Sequence, residues 1–435
     1  MNLQQTVTNS VRAFLEGKPK QVVVAYSGGV DSHLMLATVA ELATEYPANQ
    51  YLAVHVNHGL SPNADKWQQH CQKVCEEYRF PLKIQQVKVQ ASGNGGVEAA
   101  ARKVRYQAIE SVTQHKGVIL LAQHVQDQLE TVLLQLKRGA GPKGLSAMGQ
   151  TLEKENGIIL ARPFLQIEKQ HILQLAKHKN LQWIEDESNQ DSRFDRNFLR
   201  TQIVPSLIAR WPNLAEAAHR TAKLCAEQQR LLDEVNEQHL QGMINQRFAI
   251  DIPKLLSLSQ AWQNQIVRYW LAQQQLTMPS YSVLDELPKL FHAKQDANPS
   301  IEIDDYQLRR FRDHLYCVRK KNVEVFSERK LIARNTILPN FLGQLRIADN
   351  LIGELTIKSR DNSLTFKPKA ARHSKPLKQW FKEWNVPVWE RERSLVVYLH
   401  EQVIAIVCDQ QIFFADNVSD DVASSIHFEA SPPKL

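Results

Sequence analysis

The β-branched run Val22 to Val24 predicts a buried strand that stops at Ser27-Gly28-Gly29, and the apolar run Leu34 to Leu42 beyond it predicts a helix. The alternation recurs. Tyr51 to Val56 reads as a strand ending at Asn57-His58-Gly59, followed from Asp65 by helical sequence with Trp67, Cys71 and Cys75 on one face. Leu82 to Val89 reads as a third strand, leading through Ser92-Gly93-Asn94-Gly95-Gly96 to a helix from about Glu98, and Val118 to Ala122 as a fourth, before the helix Leu129 to Leu136. Four strand–helix units predict an α/β fold: an open parallel sheet with helices on both faces and its ligand side at the carboxyl ends of the strands.

Further along, Arg162-Pro163-Phe164-Leu165 opens a helical segment that runs to Lys179, and Trp211 to Leu240 predicts one long helix broken near Gly242. Residues 243–300 read as mainly helical, with Trp262, Ile266, Tyr269 and Trp270 as a packing stripe. Strand formers take over at Ile301, short strands fill a small domain after Asn340, and Ser424 to Leu435 reads as a poorly ordered tail. The expected division is a catalytic domain 1–210, a mainly helical middle domain 211–335 and a small α+β domain 336–435.

At 435 residues and 43% hydrophobic, the chain has enough apolar material for a sizeable core shared among two or three domains. Five cysteines form no secreted disulfide framework, and Cys71 and Cys75 read as half-buried helical residues, since no cluster nearby completes a metal site. No apolar run reaches membrane-spanning length and Met1 to Lys20 lack a signal peptide, which predicts a cytoplasmic chain with no membrane partner. Lys plus Arg exceed Asp plus Glu by seven. The distribution says more: residues 309–334 hold nine Lys or Arg against three acids, and residues 358–382 hold eight against Asp361 alone, interleaved with Phe366, Trp380 and Phe381. Such stretches predict a nucleic-acid partner.

The junction at residues 27–32, Ser-Gly-Gly-Val-Asp-Ser, carries the chemistry. Backbone amides at a helix N-terminus have no intrahelical acceptor and attract an anion. Gly28 and Gly29 permit close approach, and the Ser27 and Ser32 hydroxyls donate to phosphate oxygens. Asp31 repels a phosphate unless a cation lies between them, so it predicts a nucleotide–Mg2+ complex, against the plainer reading of a helix cap. Asp127 and Glu130 share one face of a first helical turn after His124, as Mg2+ ligand and ammonium-binding patch or as simple dipole partners. Arg102 and Arg105 read either as contacts to a nucleotide or its leaving phosphates or as ordinary surface salt-bridge residues, and Lys137-Arg138-Gly139 opens a cationic, glycine-rich lip. Arg196 and Arg200, four apart, share a face of a short helix.

Ser27 to Ser32 resembles the pyrophosphate-binding loop (PP-loop) of the N-type ATP pyrophosphatases. Together with His55-Val56-Asn57-His58-Gly59-Leu60, Ala101-Arg102, Arg105-Tyr106, His124, Asp127-Gln128, Glu130-Thr131, Arg138-Gly139, Gly141, Gly144-Leu145, Arg196-Asn197 and Arg200, it resembles the bacterial tRNA(Ile)-lysidine synthetases over essentially the whole chain. The match is specific in the first 200 residues and looser beyond. Val396-Val397-Tyr398 and Cys408-Asp409 stand where that family has a proline-leucine entry and a glycine-rich strand.

The resemblance implies ATP and Mg2+ as cofactors, with free L-lysine and a tRNA(Ile) bearing a CAU anticodon as partners. The C2 oxygen of the wobble cytidine is adenylated, and lysine then displaces AMP. The nucleotide is assigned to Ser27, Gly28, Gly29, Val30, Asp31, Ser32, Asn57, His58, Arg102, Arg105 and His124, and the metal to Asp31 and Asp127. Catalysis is assigned to Asp31, Asp127, Glu130, Arg196 and Arg200, and tRNA binding to Lys137, Arg138, Lys367, Lys369, Arg372, Lys375 and Lys378. A homodimer is allowed for. The rival readings are a tRNA thiolase on the same fold, for which none of the five cysteines falls in a ligand-end loop, and an RNA-binding protein that keeps only the nucleotide fold.

Overall fold

In the computed structural model the strand Gln21–Ala25 (β1) buries Val22 and Val24 against one layer of helices and Val23 against the other, as a strand covered on both faces must. The structure describes residues 2–17, 19–59, 61–88, 96–187, 191–293, 299–304, 306–320, 324–325, 327–331, 335–348, 351, 353–361 and 363–430. The expected turn at 92–95, with Val89, Leu60, Ser188, Asn189 and residues 431–435, lies outside the described residues. Two compact units are present, Met1–Leu232 and Asp233–Leu435.

In the first unit, Leu3–Leu15 (α1) precedes β1, and then come Val30–Ala43 (α2), Gln50–Asn57 (β2), Ala64–Glu77 (α3), Leu82–Gln86 (β3), Gly96–Glu110 (α4), Val118–Leu120 (β4) and Val125–Lys137 (α5). Pro142–Leu145 (α6), Thr151–Glu153 (β5), Ile159–Ala161 (β6) and Lys169–His178 (α7) follow. The sheet order is β3-β2-β1-β4-β6-β5, parallel except for the β5–β6 edge, with Val23 between Leu52 and Ile119. The strand order diverges on either side of β1. A crevice therefore opens above the carboxyl ends of β1 and β4, where open α/β sheets hold their ligands.

The expected open parallel sheet is present, and two short strands extend it. β5 and β6 have three residues each, too few for a periodic signal. The helix expected from Arg162 begins instead at Lys169. Phe164, Leu165 and Ile167 are buried anchors in tight turns, and helical spacing starts only after the Glu168 N-cap. Beyond α7, Asp195–Phe198 (α8) runs into a π-helical turn, Leu199–Ile203, then Val204–Arg210 (α9) and Leu214–Gln241 (α10). Val125, Leu129 and Val132 of α5 pack on Val204, Ala215, Ala218 and Ala222, which holds this segment along α5.

The second unit contains two apolar clusters. One joins the antiparallel strands Ser300–Ile303, Tyr306–Phe311 and His314–Arg319 to the helix Gln260–Gln273, with Ile266 and Trp270 fully buried and Trp262 and Tyr269 packed against them, so the aromatic stripe is core. The other lies between the helix Leu377–Glu383 and a sheet that includes Leu355–Ser359, Leu395–Leu399, Gln402–Cys408 and Gln411–Phe414. The tail expected to be poorly ordered from Ser424 is a strand at Ile426–Ala430, paired antiparallel with Gly343–Ile347, because Ile426 is buried and Phe428 packs on the core. All five cysteines are free, and no helix among the described residues is long and apolar enough to cross a membrane.

Candidate active site

β1 ends in Tyr26, and the chain turns through Ser27-Gly28-Gly29 into α2. Gly28 has φ +86°, and a Cβ there would stand 2.6 Å from Ile184 Cδ1 and 3.0 Å from Cys71 Sγ, so glycine is required for both conformation and space. The turn is tied internally: Ser27 Oγ and Ser32 Oγ lie 3.0 Å apart, the Ser27 amide donates to Ser32 Oγ at 3.2 Å, and Ser32 Oγ donates to the Gly29 carbonyl at 3.0 Å. The Ile184 amide donates to the Gly28 carbonyl at 3.0 Å, strapping the turn from above. Gly29 is the N-cap of α2 and supplies no side-chain acceptor, so the first amides of that helix are left for a ligand.

The turn floors a cavity of about 310 Å³ that reaches across the ends of β1, β2 and β4. Arg102, Arg105 and Tyr106 of α4 form one wall. Arg102 donates to Tyr106 Oη at 3.3 Å. Burial pulls the Arg105 guanidinium down, Arg102 and Arg196 add to this, and Tyr106 and Asp186 partly offset it. Burial also lowers Arg162, again with Arg102 beside it, although Arg162 donates to Gln123 Oε1 at 2.6 Å and the Gly149 carbonyl at 2.8 Å. Guanidiniums crowded beside one cavity are relieved by a bound anion.

At the mouth, His124 caps α5 and its amide donates to Asp127 Oδ2 at 3.0 Å. His124 Nε2 stands 3.4 Å from Asp127 Oδ2 and 4.0 Å from Asp31 Oδ2, so the two carboxylates flank one ring nitrogen. Lys169 Nζ donates to the other oxygen of Asp31 at 2.5 Å. No group of three or more His, Cys, Asp or Glu able to hold a metal occurs among the described residues. The two carboxylates nonetheless offer the hard oxygen donors that Mg2+ prefers, and Mg2+ takes its remaining positions from water and phosphate.

Glu130 is 1% exposed and fully engaged. Its Oε1 accepts from Arg200 Nε at 2.7 Å, and its Oε2 from Arg196 Nε and Arg200 Nη2, both at 2.8 Å. Arg200 Nη2 also donates to Asp127 Oδ1 at 2.7 Å. Burial alone would raise the Asp127 carboxyl, but His124, Arg196 and Arg200 outweigh it and hold the group below the usual carboxylate range. The acidic face read from the sequence is therefore a four-membered cluster, with two guanidiniums against two carboxylates.

Three family matches span the chain: a PP-loop domain over residues 2–207, a TilS substrate binding domain over 250–316 and a TilS substrate C-terminal domain over 355–421. A tRNA(Ile)-lysidine synthase of Serratia proteamaculans is 39% identical over 401 residues, covering 89% of this chain and 91% of the relative. One of Vibrio vulnificus is 38% identical over 402 residues, covering 89% and 91%. The chain belongs to the tRNA(Ile)-lysidine synthase family. A U34-tRNA thiolase from Methanococcus maripaludis aligns over 52% of this chain and 79% of its own at 19% identity and a TM-score of 0.44, a likeness too weak to bear on chemistry. Membership in the lysidine synthase family makes the chain a ligase and sets aside the thiolase and non-catalytic readings.

Within this lysidine synthase family site, Ser27, Gly29, Asp31, Ser32, Asn57, His58, Arg102, Arg105 and Asp127 line the cavity. Gly28 and Val30 belong to the turn but do not line the cavity, and neither do His124, Glu130, Arg196 and Arg200, which reach it through their contacts with Asp31 and Asp127 or with each other. Asn57 spends its side chain on structure, donating to Asp65 and Gln68 and accepting from the Gly59 amide at 3.0 Å. Lys137 pairs with Asp195 at 2.5 Å. In the second unit Lys367, Lys369 and Lys375 pair with Asp416, Asp420 and Glu383, whereas Arg372 and Lys378 have no acidic partner among the described residues. Lys169, Arg162 and Asp186 were not foreseen. Asp186 sits in an acidic run with no periodic signal, and Lys169 is one of many surface-type lysines until the fold brings it to Asp31.

Proposed function

We propose that the cavity binds ATP with its phosphates over Ser27 to Ser32, that Asp31 and Asp127 would hold Mg2+, and that the chain ligates free L-lysine to C2 of the wobble cytidine of a tRNA(Ile) with a CAU anticodon. The reading rests on one juxtaposition: Asp31, from the phosphate-binding turn, and Asp127, from the arginine–carboxylate cluster, line a single cavity and flank His124 Nε2. When bound, Mg2+ supplies charge neutralisation between the phosphates and Asp31.

In the first half-reaction the C2 oxygen of cytidine attacks the α-phosphorus and pyrophosphate leaves. The free amides of α2, the Ser27 and Ser32 hydroxyls, Arg102 and Arg105 stabilise that leaving group. In the second, the lysine ε-amine attacks C2 and AMP leaves. Asp127, ionised at neutral pH and lining the cavity, orients the ammonium. Glu130 acts one step removed, fixing Arg196 and Arg200, whose Nη1 atoms have no acceptor among the described residues and are available to a substrate carboxylate or phosphate.

The test is incubation with ATP, lysine and bulk tRNA. AMP and labelled tRNA are expected only when all three are present; equal AMP release without lysine, or label transferred from cysteine sulfur, would sink the assignment.

A further inference from the structure

The C-terminal sheet carries an aromatic column that starts in its core and ends at a cleft on its edge. Trp380 is buried, and its indole nitrogen donates to the Phe366 carbonyl at 2.6 Å, so it is structural. Trp384 stacks on it with ring centres 5.7 Å apart, and Phe413 stacks on Trp384 at 3.8 Å with planes only 5° apart. Trp384 and Phe413 pack on that core and are only partly buried, so part of each ring is left to the cleft. Phe413 lies in Gln411–Phe414, an outermost strand of its sheet.

These rings line a cleft of about 400 Å³ whose rim carries Arg372, His373 and Lys375. Lys375 Nζ lies 4.7 Å over the Trp380 ring and pairs with Glu383, the one acid of the rim. Arg372 is exposed and unpaired among the described residues. A flat, partly open aromatic surface beside an unpaired guanidinium matches an unpaired nucleotide, with its base on the rings and its phosphate on the cation. A paired stem offers phosphates but no free base face, so it leaves the rings unused.

We propose that this cleft receives an unpaired nucleotide of the RNA substrate. The proposal rests on the tRNA-ligase reading above. A tRNA offers such nucleotides at its single-stranded 3′ end and in its loops, and the chemistry at the cleft is the same for either.

The experiment uses the full chain and tRNA(Ile) transcripts carrying 2-aminopurine, whose fluorescence falls on stacking, at the 3′-terminal position or at an unpaired loop position. One of the two probes is expected to be quenched severalfold by the unmodified chain. Phe413→Leu should remove that quench and weaken binding about tenfold with the salt dependence unchanged. Arg372→Gln, at an exposed position where folding is safe, should weaken binding and lower the salt slope by about one. Whichever probe responds identifies the source of the nucleotide, and either result supports the cleft. If both probes stay bright while the transcript binds, or if the quench survives both substitutions, the proposal is overturned and the ligase reading stands. If the unmodified chain binds no transcript, the ligase reading falls with it.

Discussion

Replacing Glu130 by Gln removes the charge that holds two guanidiniums. The carboxylate is 1% exposed and accepts three charge-assisted hydrogen bonds, at 2.7, 2.8 and 2.8 Å. Gln keeps one acceptor and turns an NH2 donor toward an arginine, leaving both cations with Asp127 as their remaining carboxylate. Losing one member of a buried ion cluster costs about 3–5 kcal/mol. Because Arg200 is 38% exposed and keeps its contact to Asp127, the lower end, about 3 kcal/mol, is expected for Glu130→Gln in urea unfolding of the first unit. Arg196→Gln and the double variant complete a cycle whose coupling should be about 2 kcal/mol. Arg196 and Arg200 are proposed to meet lysine or RNA and not the nucleotide cradle. The Michaelis constant for lysine should therefore rise about tenfold or more, while that for ATP stays within about twofold. Coupling below about 0.5 kcal/mol, or equal rises in the two constants, would refute the idea that Glu130 works by fixing these arginines.

Three other outcomes are expected. Gly28→Ala places a side chain at φ +86° against Ile184 and Cys71, and should weaken ATP binding about tenfold or more in equilibrium dialysis; unchanged affinity would show that the turn adapts. Lys169→Met frees one oxygen of Asp31 and should lower the Mg2+ concentration needed for half-maximal nucleotide binding, whereas a higher requirement would mean that Lys169 itself meets the phosphates. In the second unit, burial pushes the Asp409 carboxyl up to about 7 against the pull of Arg247. A carboxyl that keeps its proton longer when folded than when unfolded loses stability as pH rises from about 4 to about 7. Asp409→Asn should flatten that loss in urea titrations across the same window, and an unchanged slope would place the proton elsewhere.

The sheet and the phosphate-binding turn were legible because their signals are local: a β-branched run, paired glycines, then an apolar helix. The arginine–carboxylate cluster was half legible. Asp127 and Glu130, and separately Arg196 and Arg200, show matching spacings, but nothing local says that one pair saturates the other across more than sixty residues. Counting charge by stretch leaves out partners for the same reason. Residues 358–382 contain one acid, yet Lys367 and Lys369 find Asp416 and Asp420 downstream, so much of the apparent cationic excess is internal. Ile426 to Ala430 looked like a loose end because five residues beside a polar run say little until Gly343–Ile347 offers them an edge to pair with.

The Ile184 amide that closes on Gly28 has a consequence for the order of events during synthesis. The phosphate-binding turn leaves the ribosome early, but the group that pins it from above is made more than 150 residues later, as is Lys169, the partner of Asp31, about 140 residues later. At about 5–20 residues per second, the turn waits roughly 8–30 s for its strap. Throughout that interval the nascent chain carries the glycine-rich motif without a finished nucleotide site, so ATP has no completed cradle to occupy until the sequence that holds it open has been translated.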